Sequence, residues 1–492
     1  MDHAEKYLLA GIAVLILIQL GGAVVTYAAC NNLLSVSAEN FSCKNVYARL
    51  FWATNVFGTD YLPAFIYPLL IAIAVFLFYK TNIATRLLSV LEGAKNNPIL
   101  RKNYKVVAVL LFLVLFLAFS MKQRIGDKWD IIAEEADTNA SYKFWMSSPA
   151  SSFLIYLVYN LVKGMGISAS AAIGYLSILS GIVAVYSLVR ISKILGRNEI
   201  DSALIFLATA FAGFAAVFYG DVEIIPYAAL FTTLYILSAL LYLEGKARLL
   251  TPLAVFFTGF WFHLSLGWFL PSLLLLPLIK EDKIKYQAGR FVFSLKSLFG
   301  KDTLRMLALF VIGSLIVLGL IEVAAYSQYG KHVTELGVGD LLGGSSYVSF
   351  APLFSLGRES YTMFSIPYFM MILNHLYLLS PLALIAVISL LSKPSRLKMD
   401  RKAIFLFVMA FFYLIYAFAW EVNASVSDWD LFAPLGPPLS LFAFYALSEN
   451  QADRGTYRRI MLLIIVVSIL LSYPFILRNA ELISLEPFLI HR

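Results

Sequence analysis

The sequence predicts an all-α, polytopic integral membrane protein, and three observations predict it. Sixty per cent of the 492 residues are hydrophobic, enough for about fifteen bilayer crossings at roughly 20 residues each. Only 14% are charged, against about 25% in ordinary soluble domains, and the mean hydropathy of +0.80 agrees. The apolar runs are also long and unbroken, which suits helices and not the alternating strands of a membrane barrel. A soluble globule is excluded. The usual prior of one domain per 150 residues or so applies to water-soluble cores, so one integral unit is expected.

In chain order the apolar runs give thirteen spans, near 7–28, 61–79, 104–120, 169–189, 202–218, 225–243, 251–263, 265–279, 306–325, 367–391, 403–420, 432–447 and 460–477. The first is too long, and lacks the small-residue cleavage site, for a removable signal peptide. It is read as the first helix. The run 251–279 is too long for one span and divides at His263, which marks the tip of a helical hairpin. Ser151 to Val162 is too short to cross and is flanked by Pro149 and Gly164, so it is read as an interfacial helix. Counting it as a crossing would place Arg190, Lys193 and Arg197 outside.

The charges lie in alternate loops. With the N-terminus on the cytoplasmic side, the inner loops hold 27 basic and 12 acidic residues and the outer loops 11 and 18. The first inner loop carries Lys80, Arg86, Lys95, Arg101, Lys102 and Lys105. This bias fixes the expected orientation in the plasma membrane. It also accounts for the net charge of +8 without a nucleic-acid partner. Cys30 and Cys43, both in the first outer loop, suit a disulfide on an oxidising face. Asn40, Asn139 and Asn423 each open a glycosylation sequon in an outer loop, a weak signal. No Gly-rich phosphate loop, CxxC pair or HExxH motif is present.

Candidate chemistry therefore falls on the outer loops. The segment 121–168 carries Asp127, Asp130, Glu134, Glu135 and Asp137 beside Lys122, Arg124 and Lys128. On a helix, Asp127 and Asp130 would share a face and flank one acceptor hydroxyl. A like-charged neighbour raises a carboxylate's pKa toward that of a general base; the plain alternative is a solvated acidic loop. The next outer turn, Tyr219-Gly220-Asp221-Val222-Glu223, places two acids at a helix start. Capping of that helix explains Asp221. Glu223 lies where the helix enters the membrane, a depth at which an ionisable group is a functional candidate. His263 and His375 are each read either as a structural histidine or as a donor to a phosphate or sugar oxygen. The long outer loop 326–366 contains Lys331, His332, Arg358 and Glu359. The Arg358 fork matches two phosphate oxygens, and contact with bulk lipid headgroups is its alternative. Asp428-Trp429-Asp430 is acid-aromatic-acid, suited to sugar binding, with the indole on C–H groups and the carboxylates accepting from hydroxyls.

These residues carry a resemblance. Gly126-Asp127-Lys128-Trp129-Asp130 followed by Ser148-Pro149, the Tyr219–Glu223 corner and Ser427–Phe432 together are similar to the GT-C superfamily of membrane glycosyltransferases, which use polyprenyl-phosphate sugars, dolichol phosphate among the carriers. The likeness covers roughly residues 104–480. It implies a two-helix extension at 1–103, a catalytic core at 104–480 and an outer tail at 481–492, without the large C-terminal domain of oligosaccharyltransferases. It implies inverting transfer of one sugar to an acceptor hydroxyl of a glycan, lipid or protein of the cell envelope, on the extracytoplasmic face. By this resemblance Asp127, or its neighbour Asp130, is the base. Asp221, Glu223, His263, Asp428, Trp429 and Asp430 would hold sugar or acceptor, and Arg358, Lys331 and Lys122 the phosphate. No cofactor is assigned; a divalent ion between Asp127 and Asp221 or Asp430 is the variant left open. The competing reading is a transporter or flippase of lipid-linked glycans, which predicts internal repeats and charges at mid-membrane depth.

Overall fold

The computed structural model describes residues 3–30, 61–121, 148–293, 300–329, 349–350, 364, 366–392, 394–421 and 429–480. Long apolar runs satisfy their backbone polar groups internally as helices. The first four are α1 (His3–Cys30), α2 (Tyr61–Lys80), α3 (Ile83–Asn96) and α4 (Pro98–Ala118). Then come α5 (Pro149–Val162), α6 (Ala169–Leu195), α7 (Glu199–Ala210), α8 (Ile225–Leu243), α9 (Leu250–Phe262) and α10 (Leu270–Lys280). A small hairpin, β1 (Ile284–Gln287) and β2 (Arg290–Phe293), precedes α11 (Lys301–Tyr329). The two-residue strand β3 (Ser349–Phe350) follows, then α12 (Ile366–Leu379), α13 (Pro381–Leu391) and α14 (Arg401–Ala419). The strand β4 (Trp420–Glu421), α15 (Gly436–Asn450) and α16 (Arg454–Asn479) complete the described fold.

All thirteen expected spans fall on helical segments, but several are short or broken. Among the described residues, six helices are long and apolar enough to cross a membrane, or seven if the bent α2–α3 pair is one span. The predicted span 202–218 breaks: α7 stops at Ala210 and the chain continues as a 3-10 turn, Gly213–Phe218. A Cβ at Gly213 would lie 1.7 Å from the Leu378 carbonyl oxygen, so only glycine permits this approach of the two chains. The predicted span 367–391 breaks at Ser380, because Pro381 cannot donate to a helical hydrogen bond and forces its predecessor out of helical geometry. Ser380 Oγ instead lies 2.9 Å from Ser440 Oγ on α15. The core is built from α6, α7, α8, α14, α15 and α16, with α1 and α2 packed on each other and against α13 and α16.

The ion pairs among the described residues gather at one end of the helices, rich in Lys and Arg. At the basic end, ion pairs stitch the helices together. Asp201 is fully buried and faces Arg458 at 3.3 Å and Arg454 at 3.6 Å. Arg197 pairs with Glu449 at 2.9 Å, and Tyr445 donates to Asp400. Glu5, also fully buried, accepts from Tyr79 at 2.9 Å and pairs with Arg459 at 3.0 Å, joining α1, α2 and α16. Lys246 and Lys402 donate to Glu244 and hold its carboxyl below the ordinary range. The Arg401 guanidinium does the same for Asp282. Removing one partner of a buried pair typically costs about 3–5 kcal/mol, which applies to Asp201 and Glu5.

Candidate active site at the acidic end

At the opposite end, four predicted elements meet. The corner between the Gly213–Phe218 turn and α8 turns on Gly220, whose φ of +83° is a left-handed conformation that favours glycine. Its carbonyl oxygen would lie 3.2 Å from a Cβ at Gly174 of α6, so the corner lies directly on that helix. Ser177 of α6 donates to the Asp221 carbonyl oxygen. Tyr219 is buried, its hydroxyl 3.0 Å from that of Tyr473. The Asp221 side chain is 1% exposed.

Glu223 makes a contact at the start of α8 that the capping expectation did not give it. The N-cap of α8 is Ile224, with no side-chain cap; it is the half-buried Glu223 carboxylate that accepts from the Ile224 amide, at 3.2 Å. The Glu223 carboxylate thus lies beside the amide that immediately precedes α8, near the positive end of the helix dipole.

The short helix α5 forms as expected, with Pro149 in its first turn. It lies against the corner: Ile155 packs in a small cluster with Ile173, Val222 and Tyr227, flanked by Phe262. Ser151 Oγ donates to the Phe262 carbonyl oxygen at 2.8 Å, fastening the start of α5 to the end of α9. Immediately before the acidic segment, the Met121 amide donates to the Tyr219 carbonyl oxygen at 2.7 Å. The residues bracketing 122–147 are thus both tied to the cluster formed by the corner and the hairpin tip.

That tip is His263, extended and 6% exposed between α9 and the 3-10 turn Leu264–Phe269. Its Nδ1 accepts from the Ser265 amide at 3.2 Å and lies 2.7 Å from Ser265 Oγ. With Nδ1 accepting, the proton of the neutral ring sits on Nε2, where it can be donated. Tyr413 of α14, fully buried, donates to Ser265 Oγ at 3.1 Å and to the Leu431 carbonyl oxygen at 3.3 Å. Leu431 belongs to the 3-10 turn Trp429–Leu435, which packs against α8, α12 and the Gly213–Phe218 turn. Asp430 in this turn is 1% exposed. His375 of α12 is buried, its ring 4.9 Å from that of Phe432. The strand β3 pairs antiparallel with β4, Ser349 opposite Glu421 and Phe350 opposite Trp420. The long segment between α11 and α12 is thereby joined to the chain just before Asp428.

Of the residues singled out from sequence, Asp221, Glu223, His263 and Asp430 are therefore gathered at one end. For Trp429 only the backbone position, at the start of its turn, is described. Asp127, Asp130, Lys122, Lys331, Arg358 and Asp428 lie outside the described residues, as do Cys43, the three sequon asparagines and the tail 481–492. Among the described residues, no group of three or more His, Cys, Asp or Glu side chains is placed to hold a metal ion. Sequence reasoning missed Ser151, Ser177, Ser265 and Tyr413, small or aromatic residues in apolar surroundings whose partners are all distant in the chain or set by the turn.

No protein-family model and no curated protein matches the sequence. Among solved structures, the chain is similar to ArnT from Cupriavidus metallidurans bound to undecaprenyl phosphate, with 11% identity, a TM-score of 0.47, and 78% of this chain and 77% of that one covered. It is also similar to the Archaeoglobus fulgidus oligosaccharyltransferase tethered to an acceptor peptide, with 10% identity, a TM-score of 0.41, and coverage of 78% and 56%. The archaeal oligosaccharyltransferase AglB from Archaeoglobus fulgidus, in complex with an inhibitory peptide and a dolichol-phosphate, gives 8% identity, a TM-score of 0.40, and coverage of 78% and 56%.

Proposed function

We propose that the chain is a membrane glycosyltransferase that moves one sugar from a polyprenyl-phosphate donor to an acceptor hydroxyl at its acidic, extracytoplasmic end. One observation carries this reading. Met121 and Ser151, on either side of the segment that bears Asp127 and Asp130, are hydrogen-bonded to Tyr219 and Phe262. The acidic corner and the histidine tip therefore flank both ends of that segment, with the Asp430 turn tied to the tip through Tyr413. Acids scattered on independent solvated loops would need no such ties.

In the proposed reaction the acceptor oxygen attacks the anomeric carbon, the bond from that carbon to the donor phosphate oxygen breaks, and the configuration inverts. Asp127, paired with Asp130, takes the hydroxyl proton. The departing polyprenyl phosphate carries the negative charge away, met by Lys122, Lys331 and Arg358 and by the Nε2–H of His263. Glu223, Asp221, Asp428 and Asp430 accept from sugar hydroxyls, and Trp429 stacks on the ring. A lipid-borne donor suits this placement because its tail stays in the bilayer while its phosphate lies at the interface. The N-terminus is cytoplasmic in this reading, following the excess of basic residues at the other end.

The test is sugar transfer from a radiolabelled polyprenyl-phosphate donor by the purified protein in lipid nanodiscs. The expected result is product formation that is lost in Asp127→Asn and kept in Asp137→Asn. Transfer independent of every outer carboxylate would overturn the proposal. Movement of labelled lipid across the bilayer without product would favour the flippase reading instead.

A further inference from the structure

At the basic end, α3 lies between α2 and α4. Helix α3 turns 76° away from α2, so with α2 crossing the membrane α3 runs along its surface. Its apolar residues divide into two adjoining stripes. Ala84, Leu88 and Leu91 face the core, while Ile83, Leu87 and Val90, at i, i+4 and i+7, face outward, Val90 with 67% exposure. The outward stripe continues through Ile99, 70% exposed, into Val106, Leu110 and Val114 on the lipid-facing side of α4. Bilayer hydrocarbon is what covers such a surface, since it runs without a break into a membrane span.

Beside this stripe the chain is strongly basic. Residues 80–105 hold six Lys or Arg and one acid, Glu92. Between the end of α3 and the start of α4 there is a cavity of about 420 Å³, lined by Lys95, Asn96, Pro98, Arg101 and Lys102. Arg101 shares its charge with Glu199 at 3.7 Å, an exposed pair. Among the described residues, Lys95 and Lys102 have no acidic partner. Cations converge on the cavity from two helices, and an acyl-sized apolar surface adjoins it.

We infer that this cavity binds the phosphate of an anionic diacyl phospholipid, whose chains lie along Val90, Ile99 and the outer face of α4. The site is independent of the proposed transfer chemistry and of which leaflet faces the cytoplasm. A cluster of cations next to a span attracts anionic lipid by roughly fivefold per residue at the membrane surface; the cavity localises that attraction to three side chains.

Native mass spectrometry of the purified full chain, titrated with phosphatidylglycerol or phosphatidylcholine, tests the inference. The wild-type protein is expected to bind phosphatidylglycerol at least about tenfold more tightly than phosphatidylcholine. The triple variant Lys95→Gln/Arg101→Gln/Lys102→Gln is expected to lose that preference, and Lys95→Arg/Arg101→Lys/Lys102→Arg to keep it. Lys283→Gln/Lys285→Gln/Arg290→Gln, in basic residues near the hairpin, is expected to keep it too. Three results would overturn the inference: an unchanged preference in the first variant, an equal loss in the hairpin variant, or displacement of the lipid by millimolar inorganic phosphate, which would make the cavity a small-anion site.

Discussion

Tyr413→Phe isolates the link between the histidine tip and the turn that carries Asp430. The substitution keeps the ring, which is fully buried and lies 4.9 Å from that of Phe269, so no cavity opens. It removes one hydrogen shared between Ser265 Oγ at 3.1 Å and Leu431 O at 3.3 Å. Both distances exceed the usual 2.7–2.8 Å or so for a hydroxyl donor, which puts each bond at the weak end. Two buried acceptors nevertheless lose their partner, so the expected destabilisation is about 1–2 kcal/mol. If the same link holds the site together, kcat/KM for sugar transfer falls about 5- to 30-fold. Ser265→Ala breaks the same chain, and adding it to Tyr413→Phe is expected to cost much less than the sum of the two single effects. Thermal unfolding in detergent and transfer kinetics on the four proteins of the cycle measure both quantities. Additive effects, or a loss of stability with transfer unchanged, would refute the link.

Asp201→Ala leaves Arg454 and Arg458 facing an empty buried position and is expected to cost about 2–4 kcal/mol, the lower figure reflecting the partial exposure of both arginines. An unchanged unfolding midpoint would contradict it. Glu244 provides a pH test. Its carboxyl is held below the ordinary 4.5 by Lys246 and Lys402, so its contribution is present above that value and disappears as the pH falls through the lowered folded value. Glu244→Gln is accordingly expected to lower stability at pH 7 by at most about 1 kcal/mol and to narrow the gap between variant and wild type near pH 3. A gap that widens on acidification would show the opposite sign.

Hydropathy made the helical positions legible, because lipid requires helices. The break after Ala210 was not legible, since the apolar run continues through it, whereas the break at Ser380 was signalled by Pro381 and passed over in favour of the unbroken apolar run. Gly213 fits against the Leu378 carbonyl only in three dimensions. The short helix α5 was readable from its length and from Pro149. Its tie from Ser151 to Phe262 was not, being 111 residues long in sequence. Asp221 and Glu223 were singled out from their place at the corner, but the contact of Glu223 with the Ile224 amide was not foreseen. Such a contact depends on where the helix starts, and end positions are the part of a helix least determined by periodicity. Tyr413 and Ser265 look like ordinary members of apolar helices and turns, so nothing but tertiary structure identifies them.

The account stands or falls on where a polyprenyl phosphate docks. A diazirine-bearing polyprenyl phosphate, photo-cross-linked in nanodiscs and mapped by peptide mass spectrometry, is expected to label the start of α5, the 219–224 corner and the 262–265 tip. Labelling confined to the opposite end, near Arg454 and Arg458, or spread without preference over the lipid-facing helices, would contradict it.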